Sequence, residues 1–468
     1  MRTSHRTNHW RRAAIAAAGL TVLLAPASGA RDLEEILKDK KIIDPQEANE
    51  AKAAKEKAAA PVLPPLPNWL NKVTFSGDVR IRNEVFFQEG TETRNRDRFR
   101  LRFGAKAKPN DESELGFRLA SGNANDPISN NQSFTDTFTF KNINISNAYL
   151  KLTPSTTLGW DRPYVTLEGG KFDVPFYTTT SLMFDRDLTP EGFFEQFKAV
   201  DTTDGVLRGL ALNLGQWIYA ENSNDGEGVT YAFQGVANLA LGHGVLGTIG
   251  VADYKWNKPS TIAVARNKND QLTITNCTKF SDGEVICGRR IDPTKLGPNK
   301  DGKTASTVDP VTGETIPGKA ITITGFTSQF NIVNAGGDFT IPTGYPAWPI
   351  KIFADYVINT DAKGPGKNDD TGYEAGAGIG SEKDLYDASL TYAYGYLETD
   401  AAISAFSDSD FGRDAGTNTK AHIIRATFNL MNNIQLVSTV WFDTPIDDVA
   451  GRNSNQDTRW EFDVVGKF

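Results

Sequence analysis

The stretch VTFSGDVRIRNEVFF, from Val73 to Phe87, alternates with a period of two. One face carries Val73, Phe75, Gly77, Val79, Ile81, Asn83, Val85 and Phe87, the other Thr74, Ser76, Asp78, Arg80, Arg82, Glu84 and Phe86. That period is the signature of a β-strand standing between an apolar and a polar environment. RFRLRFGAKAK, from Arg98 to Lys108, repeats it, with Phe99, Leu101, Phe103, Ala105 and Ala107 opposed to Arg98, Arg100, Arg102, Gly104, Lys106 and Lys108. A hairpin symmetric about Glu92 would set Glu84 opposite Arg100 and Arg82 opposite Arg102, neutralising part of the basic strip by cross-strand pairs.

A soluble sandwich would also alternate, so the connections decide between the two. Short links at Pro109-Asn110-Asp111, His243-Gly244, Ser381 to Asp384 and Met431 to Asn433 alternate with long polar segments such as Gly122 to Lys141 and Asn257 to Ala320. Short turns on one rim and long loops on the other is the layout of a transmembrane antiparallel β-barrel. Candidate strands near residues 73, 97, 112, 142, 163, 200, 215, 229, 245, 322, 348, 371, 385, 420, 434 and 458 predict about sixteen strands in an all-β fold. Tyr386, Ala388, Leu390, Tyr392, Tyr394 and Tyr396 share one face, as amphipathic rings do at membrane interfaces. The last strand ends Trp460, Phe462, Val464, Gly466, Phe468 on one face, with Glu461, Asp463, Val465 and Lys467 on the other.

Composition points the same way. The 468 residues include 42 Gly, 27 Phe and 13 Tyr, with few aliphatic clusters to fill a large soluble core. Residues 1–30 hold Arg2, Arg6, Arg11 and Arg12 with no acid, an apolar run from Ala13 to Ala25, and the small residues Ser28 and Ala30, the pattern of a secretory signal peptide. A run of about thirteen residues is too short to cross a hydrocarbon core roughly 30 Å thick. The remainder carries 46 basic and 58 acidic residues, a formal charge of −12, which argues against nucleic acid as a partner. No later window holds eighteen apolar residues in a row, so a closed barrel is the one spanning structure left.

Residues 31–68 read as a short periplasmic helical segment and a Pro-rich linker. Leu33, Ile36 and Leu37 lie on one helical face, Asp44-Pro45 with Glu47 forms a capping box, and Pro61 to Pro67 is stiff and extended. The barrel then occupies 69–468. Cys277 and Cys287 lie close together in a polar stretch, where an oxidising compartment would let them form a disulfide within one loop.

Three stretches resemble the family of bacterial outer-membrane proteins labelled "putative porins". They are LEEILKDKKIIDPQEA from Leu33 to Ala48, GFRLASGNANDPISNNQSF from Gly116 to Phe134, and GGKFDVPFYTTTSLMFDRDLTPEG from Gly169 to Gly192. The resemblance implies a general-porin-like, sixteen-stranded barrel in the outer membrane, in contact with its lipid, passing small solutes and assembling as a homotrimer. A terminal strand ending in Phe468 resembles the signal read by the bacterial barrel-assembly machinery. The 257–320 loop is longer than a plain porin needs.

A water-filled interior lets Arg80, Arg82, Arg98, Arg100, Arg102, Lys106 and Arg118 line a pore wall without full desolvation. The segment Phe172 to Ala199 falls where general porins fold a constriction loop inward. It supplies Asp173, Asp185, Arg186, Asp187, Glu191 and Glu195, and its apolar residues Phe172, Val174, Phe176, Leu182, Met183 and Phe184 favour packing inside over exposure to water. The expected function is passive diffusion of small hydrophilic solutes or ions, with no cofactor and no metal. An outer-membrane enzyme would need a nucleophile beside a base, yet beyond the leader the chain has only His243 and His422 and no Gly-x-Ser-x-Gly or His-Glu-x-x-His pattern. The alternative is a structural or adhesive barrel whose N-terminal helices contact peptidoglycan.

Overall fold

The computed structural model describes residues 72–88, 92–222, 226–262, 328–363, 367–412, 416–446 and 456–468, with short strand segments between 278 and 326. The leader, the helical segment and linker, and both cysteines lie outside the described residues.

Sixteen antiparallel strands form one sheet: β1 Val73–Phe87, β2 Arg94–Asn110, β3 Ser113–Ser121, β4 Ile143–Leu152, β5 Val165–Lys171, β6 Glu191–Asp201, β7 Leu207–Ala220 and β8 Gly228–Leu241, followed by β9 Val245–Trp256, β10 Asn331–Ile341, β11 Ile350–Asn359, β12 Thr371–Gly380, β13 Ala388–Leu397, β14 Thr419–Met431, β15 Ile434–Pro445 and β16 Asp457–Lys467. Each strand pairs with the next. The sheet closes where β1 pairs with β16, Val79 opposite Gly466 and Asn83 opposite Phe462. A two-residue rung, Gln132–Ser133, adds itself to β2 beyond the end of β3. Closure leaves no sheet edge, so every strand meets its hydrogen-bonding demand without water.

Side-chain exposure follows the alternation. On β1, Phe75, Val79 and Ile81 are 56, 40 and 47% exposed, while Asp78, Arg82 and Glu84 are 7, 5 and 0% exposed. The apolar residues form the outside and the charges the lumen, the reverse of a soluble fold and the arrangement required when the surroundings are hydrocarbon. The outer surface is rich in tyrosine on β11 to β14: Tyr373 stacks on Tyr396 at 5.2 Å, and Tyr392 and Tyr394 flank His422, whose Nδ1 lies 2.8 Å from the Tyr392 hydroxyl. Among the described residues no helix is long and apolar enough to cross a membrane.

Three expectations change. The first hairpin is centred two residues earlier than Glu92, so Arg80 opposes Arg100, Arg82 opposes Arg98 and Glu84 opposes Arg96. The strand expected near 200 begins at Glu191, which places Glu191 and Glu195 on β6 and ends the preceding connection at Pro190. The strand expected near 322 begins at Asn331, after a separate short segment at Ile323–Phe326. Between β3 and β4 a bulge after Arg118 sets Ser146 and Asn147 both inward, 8 and 4% exposed.

At the seam, Gly77 lies under the terminal ring: a Cβ there would sit 2.4 Å from the Arg102 carbonyl oxygen and 2.5 Å from the Phe468 ring. Gly77→Val is therefore expected to lower the urea stability of the detergent-folded barrel by about 1–3 kcal/mol. The check is a urea titration followed by tryptophan fluorescence, in which an unchanged midpoint would show that the seam relaxes freely.

Candidate functional site: the lumen and its inward segments

Three connections from the rim opposite the chain ends turn into the barrel. The first brings residues 128–131 over the arginines of β1 and β2, where Arg80 donates to Asn131 Oδ1 at 2.6 Å and Arg98 to Ser129 Oγ at 3.3 Å.

The second, residues 172–190 between β5 and β6, crosses the lumen. It starts at β3, where Arg118 grips Asp173 with two bonds of 2.6 and 3.0 Å. It reaches the far wall at Tyr177, whose N–H and carbonyl bond reciprocally to the Gln234 amide of β8 and whose hydroxyl donates to Asp338 of β10 at 2.6 Å. Thr180 then donates to Asp355 of β11 at 2.7 Å. The chain returns to Asp187, which faces Arg100 and Arg102 at 3.8 and 3.6 Å and accepts the Asn130 N–H. Apolar seating holds the crossing in place: Phe176 packs on Trp217 at 5.3 Å and Phe184 on Tyr254 at 5.2 Å, with Phe172, Leu182 and Met183 buried beside them. Such a cluster keeps its apolar area from the lumen water.

The third inward segment, residues 398–418 between β13 and β14, buries Ala401, Ala402, Ile403, Ala405 and Phe411 and stacks Phe406 on Trp256 at 5.5 Å. It meets the second directly: Asp185 N–H donates to the Phe406 carbonyl at 2.8 Å, and Ser409 N–H donates to Asp185 Oδ2 at 2.7 Å.

The seven expected pore-lining cations all face inward. They do not form a free strip. Arg82 is a hub, bonded to Asp463 at 2.7 and 2.8 Å, Glu461 at 2.7 Å and Asp410 at 2.9 Å. Arg96 and Arg98 hold Glu84, and Arg100 and Arg102 share Asp78. Lys106 is 3.9 Å from Glu114 and well solvated. Of the expected constriction residues, Asp173, Asp185, Arg186 and Asp187 lie on the crossing segment. Glu191 instead starts β6 and pairs with Lys171 at 2.9 Å, and Glu195 shares the outer face of β6 with Phe193 and Phe197. Neither belongs to the crossing segment, because the strand begins at Glu191.

The residues missed by sequence reasoning are mostly acids: Asp78 and Glu84 were visible on the inner face of β1, and Glu461 and Asp463 on that of β16. Their pairing with Arg82 depends on barrel closure, however. Asp410 carries no local signal at all. The carboxylates of Glu84, Asp410 and Glu461 converge within 4.8 Å, but Arg82 lies among them with Arg459 alongside, 3.5 Å from both Glu461 and Asp410, so the residues present suit a salt-bridge network and not a metal. Toward the rim bearing the chain ends, a cavity of about 450 Å³ opens below the crossing, lined by Asp78, Arg100, Arg102, Lys106, Arg118 and Asp173 among others.

A closed, outward-apolar barrel with a charged lumen narrowed by inward loops defines a porin-type membrane protein. The sequence profile of the family described as "Putative porin" matches residues 87–208 and 307–468, and the chain belongs to that family. Among solved structures, it is similar to OprB of Pseudomonas putida, at 10% identity over 85% of this chain and 95% of that one, with a TM-score of 0.50. It also matches a loop-deleted OmpT of Vibrio cholerae at 9% identity, over 85% and 99% of the two chains, with a TM-score of 0.43. OmpF of Salmonella typhi, in a complex with daunomycin, gives 8% identity, 85% and 97% coverage and a TM-score of 0.43. No curated protein sequence matches the chain.

Two predictions follow from the contacts of the inward segments. Arg82→Ala leaves three buried acids without their main partner and is expected to cost about 3–5 kcal/mol, whereas Lys106→Ala should change stability by no more than about 0.5 kcal/mol; urea titrations of the two variants compare them directly. Burial, then the neighbouring Asp408 and Asp187, raise the Asp185 carboxyl well above its ordinary value. Burial and Asp410 raise Asp408 to about 6. Acids whose folded values are raised stabilise the contact below the ordinary carboxylate range and lose that contribution as pH climbs through the folded value. Amide protection at Asp185 and Ser409, corrected for intrinsic exchange, should therefore be higher at pH 5 than at pH 8, and Asp408→Asn should flatten the difference.

Proposed function

We propose that the protein is an outer-membrane porin, exported through its N-terminal leader and passing small hydrophilic solutes or ions by passive diffusion through a water-filled channel. The observation that carries this reading is the 172–190 segment. It is tethered to β3 at Asp173, to β8, β10 and β11 at Tyr177 and Thr180, and to β2 at Asp187, so it spans the lumen without filling it with a separate domain. A constriction built of fixed charges passes solutes that keep most of their hydration and penalises those that must shed it. On this reading no cofactor is needed, Phe468 presents the C-terminal signal to the barrel-assembly machinery, outer-membrane lipid covers the apolar belt, and three copies assemble. OmpT of Vibrio cholerae has a structure described as a trimer form, a precedent for the assembly.

Purified protein in a planar bilayer should give stepwise conductance. Replacing Tyr177 to Asp187 by a short Gly-Ser linker should leave a closed barrel with a larger unitary conductance. A folded protein that gives no steps under conditions where a known porin does would refute the proposal.

A further inference from the structure

Three acids of the crossing segment are each held by donors. Asp173 is held by two bonds from Arg118, Asp185 accepts backbone N–H groups of Asp187 and Ser409 at 2.7 Å each, and Asp187 faces Arg100 and Arg102 while accepting the Asn130 N–H. Between the last two lies Arg186, exposed, with no hydrogen bond or ion pair among the described residues. Arg425 stands on the inner face of β14, between the outward Ile424 and Ala426, and it too has no bonded partner among the described residues. The fold brings the two to one region of the lumen: Asp185, beside Arg186, accepts the Ser409 N–H, while Arg425 opposes Thr439, which opposes Glu461, and Glu461 shares Arg82 with Asp410, the neighbour of Ser409. The acids in range, Glu374 on β12, Asp408, Asp463 and Glu382, form no ion pair with either guanidinium.

Arg80, Arg82, Arg96, Arg98, Arg100, Arg102 and Arg118 each have an acid, hydroxyl or amide to hold. A guanidinium stays charged at any physiological pH, so two of them sharing a partly desolvated passage repel each other unless an anion comes between them. Their planar donor forks match the oxygens of a carboxylate or phosphate group.

We propose that Arg186 and Arg425 form an anion station at the constriction, selecting small oxyanions such as carboxylates and inorganic phosphate over cations. This rests on the porin reading above and gives it a sign. Asp173 and Asp187 are answered by wall arginines and Asp185 by backbone N–H groups, which leaves Arg186 as the cation the inward segment offers to the lumen. Neither side chain has a bonded partner among the described residues, so their removal should leave the folded barrel intact.

The test is the reversal potential of the full-length protein in a planar bilayer under a potassium chloride gradient, for wild type, Arg186→Ala, Arg425→Ala, the double Ala variant, Arg186→Glu and Arg186→Lys. Current block by added inorganic phosphate is measured in the same chambers, and folding is verified by the mobility shift on heating. Wild type should prefer chloride and be blocked by phosphate. The double Ala variant should lose most of both effects, Arg186→Glu should move toward cation preference, and Arg186→Lys should retain anion preference with weaker phosphate block. Channels that are unselective or cation-selective in wild type would overturn the station while leaving the pore standing, as would anion preference that survives the double variant. Folded wild-type protein without channels would instead overturn the porin reading itself.

Discussion

The lumen depends on Arg82. A charge taken out of water is tolerated only when its hydrogen-bonding and charge are answered nearby. Here the answer comes from three places at once: Asp463 and Glu461 on the last strand, Asp410 on the third inward segment, and, at 3.7 Å, Glu84 on its own strand. One side chain therefore ties the seam of the barrel to the material inside it. Burial pushes Asp410 up, but Arg82 and Arg459 outweigh this and hold it below the ordinary carboxylate range. The same network explains why acids and arginines occur together on inner faces that a wide, empty pore would not need to balance so closely.

Alternation made the barrel legible, since a period of two within a strand such as Val73–Phe87 assigns its residues to lipid or lumen without any knowledge of partners. Strand number followed from the turns. Register did not, because it depends on a loop centre that composition cannot fix: moving the first hairpin by two residues exchanged the expected Glu84–Arg100 pair for Glu84–Arg96. Glu195 shows a second limit. An acid after a long polar connection reads as part of that connection, while the structure places it on the outer face of β6 between Phe193 and Phe197, in line with Leu167 and Leu214. The apolar residues of the crossing segment carried their own signal, because Phe172, Phe176 and Phe184 have no place in water. The third inward segment, rich in Ala, Ser and Asp, offered none, and its burial is set by the walls and the loop it meets.

The two inward segments are unlike in what holds them. Residues 172–190 use aromatic seating on β6 to β9 together with side-chain bonds to five strands. Residues 398–418 use small side chains that allow close backbone approach, and they lean on the first through backbone hydrogen bonds. The wall from β1 to β3 is ionic and that from β6 to β9 is aromatic near the crossing, so the passage is bounded by surfaces of different character.

The separation in sequence between contacting groups has a consequence for how the molecule comes into being. Arg82 and Asp463 are 381 residues apart, Asp185 and Ser409 are 224 apart, and Thr180 and Asp355 are 175 apart. The first of these spans the seam and cannot form while the ring is open, and the strand that closes it is the last to be made. Until then Arg82 lacks most of its counter-ions, while Asp78 and Glu84 already have theirs on β2. Long-range contacts of this kind make folding slow and cooperative, so the lumen is furnished last, after the wall. Once the seam shuts, the same interlock opposes opening at every point, and persistence of the native state is governed by the rate of escape.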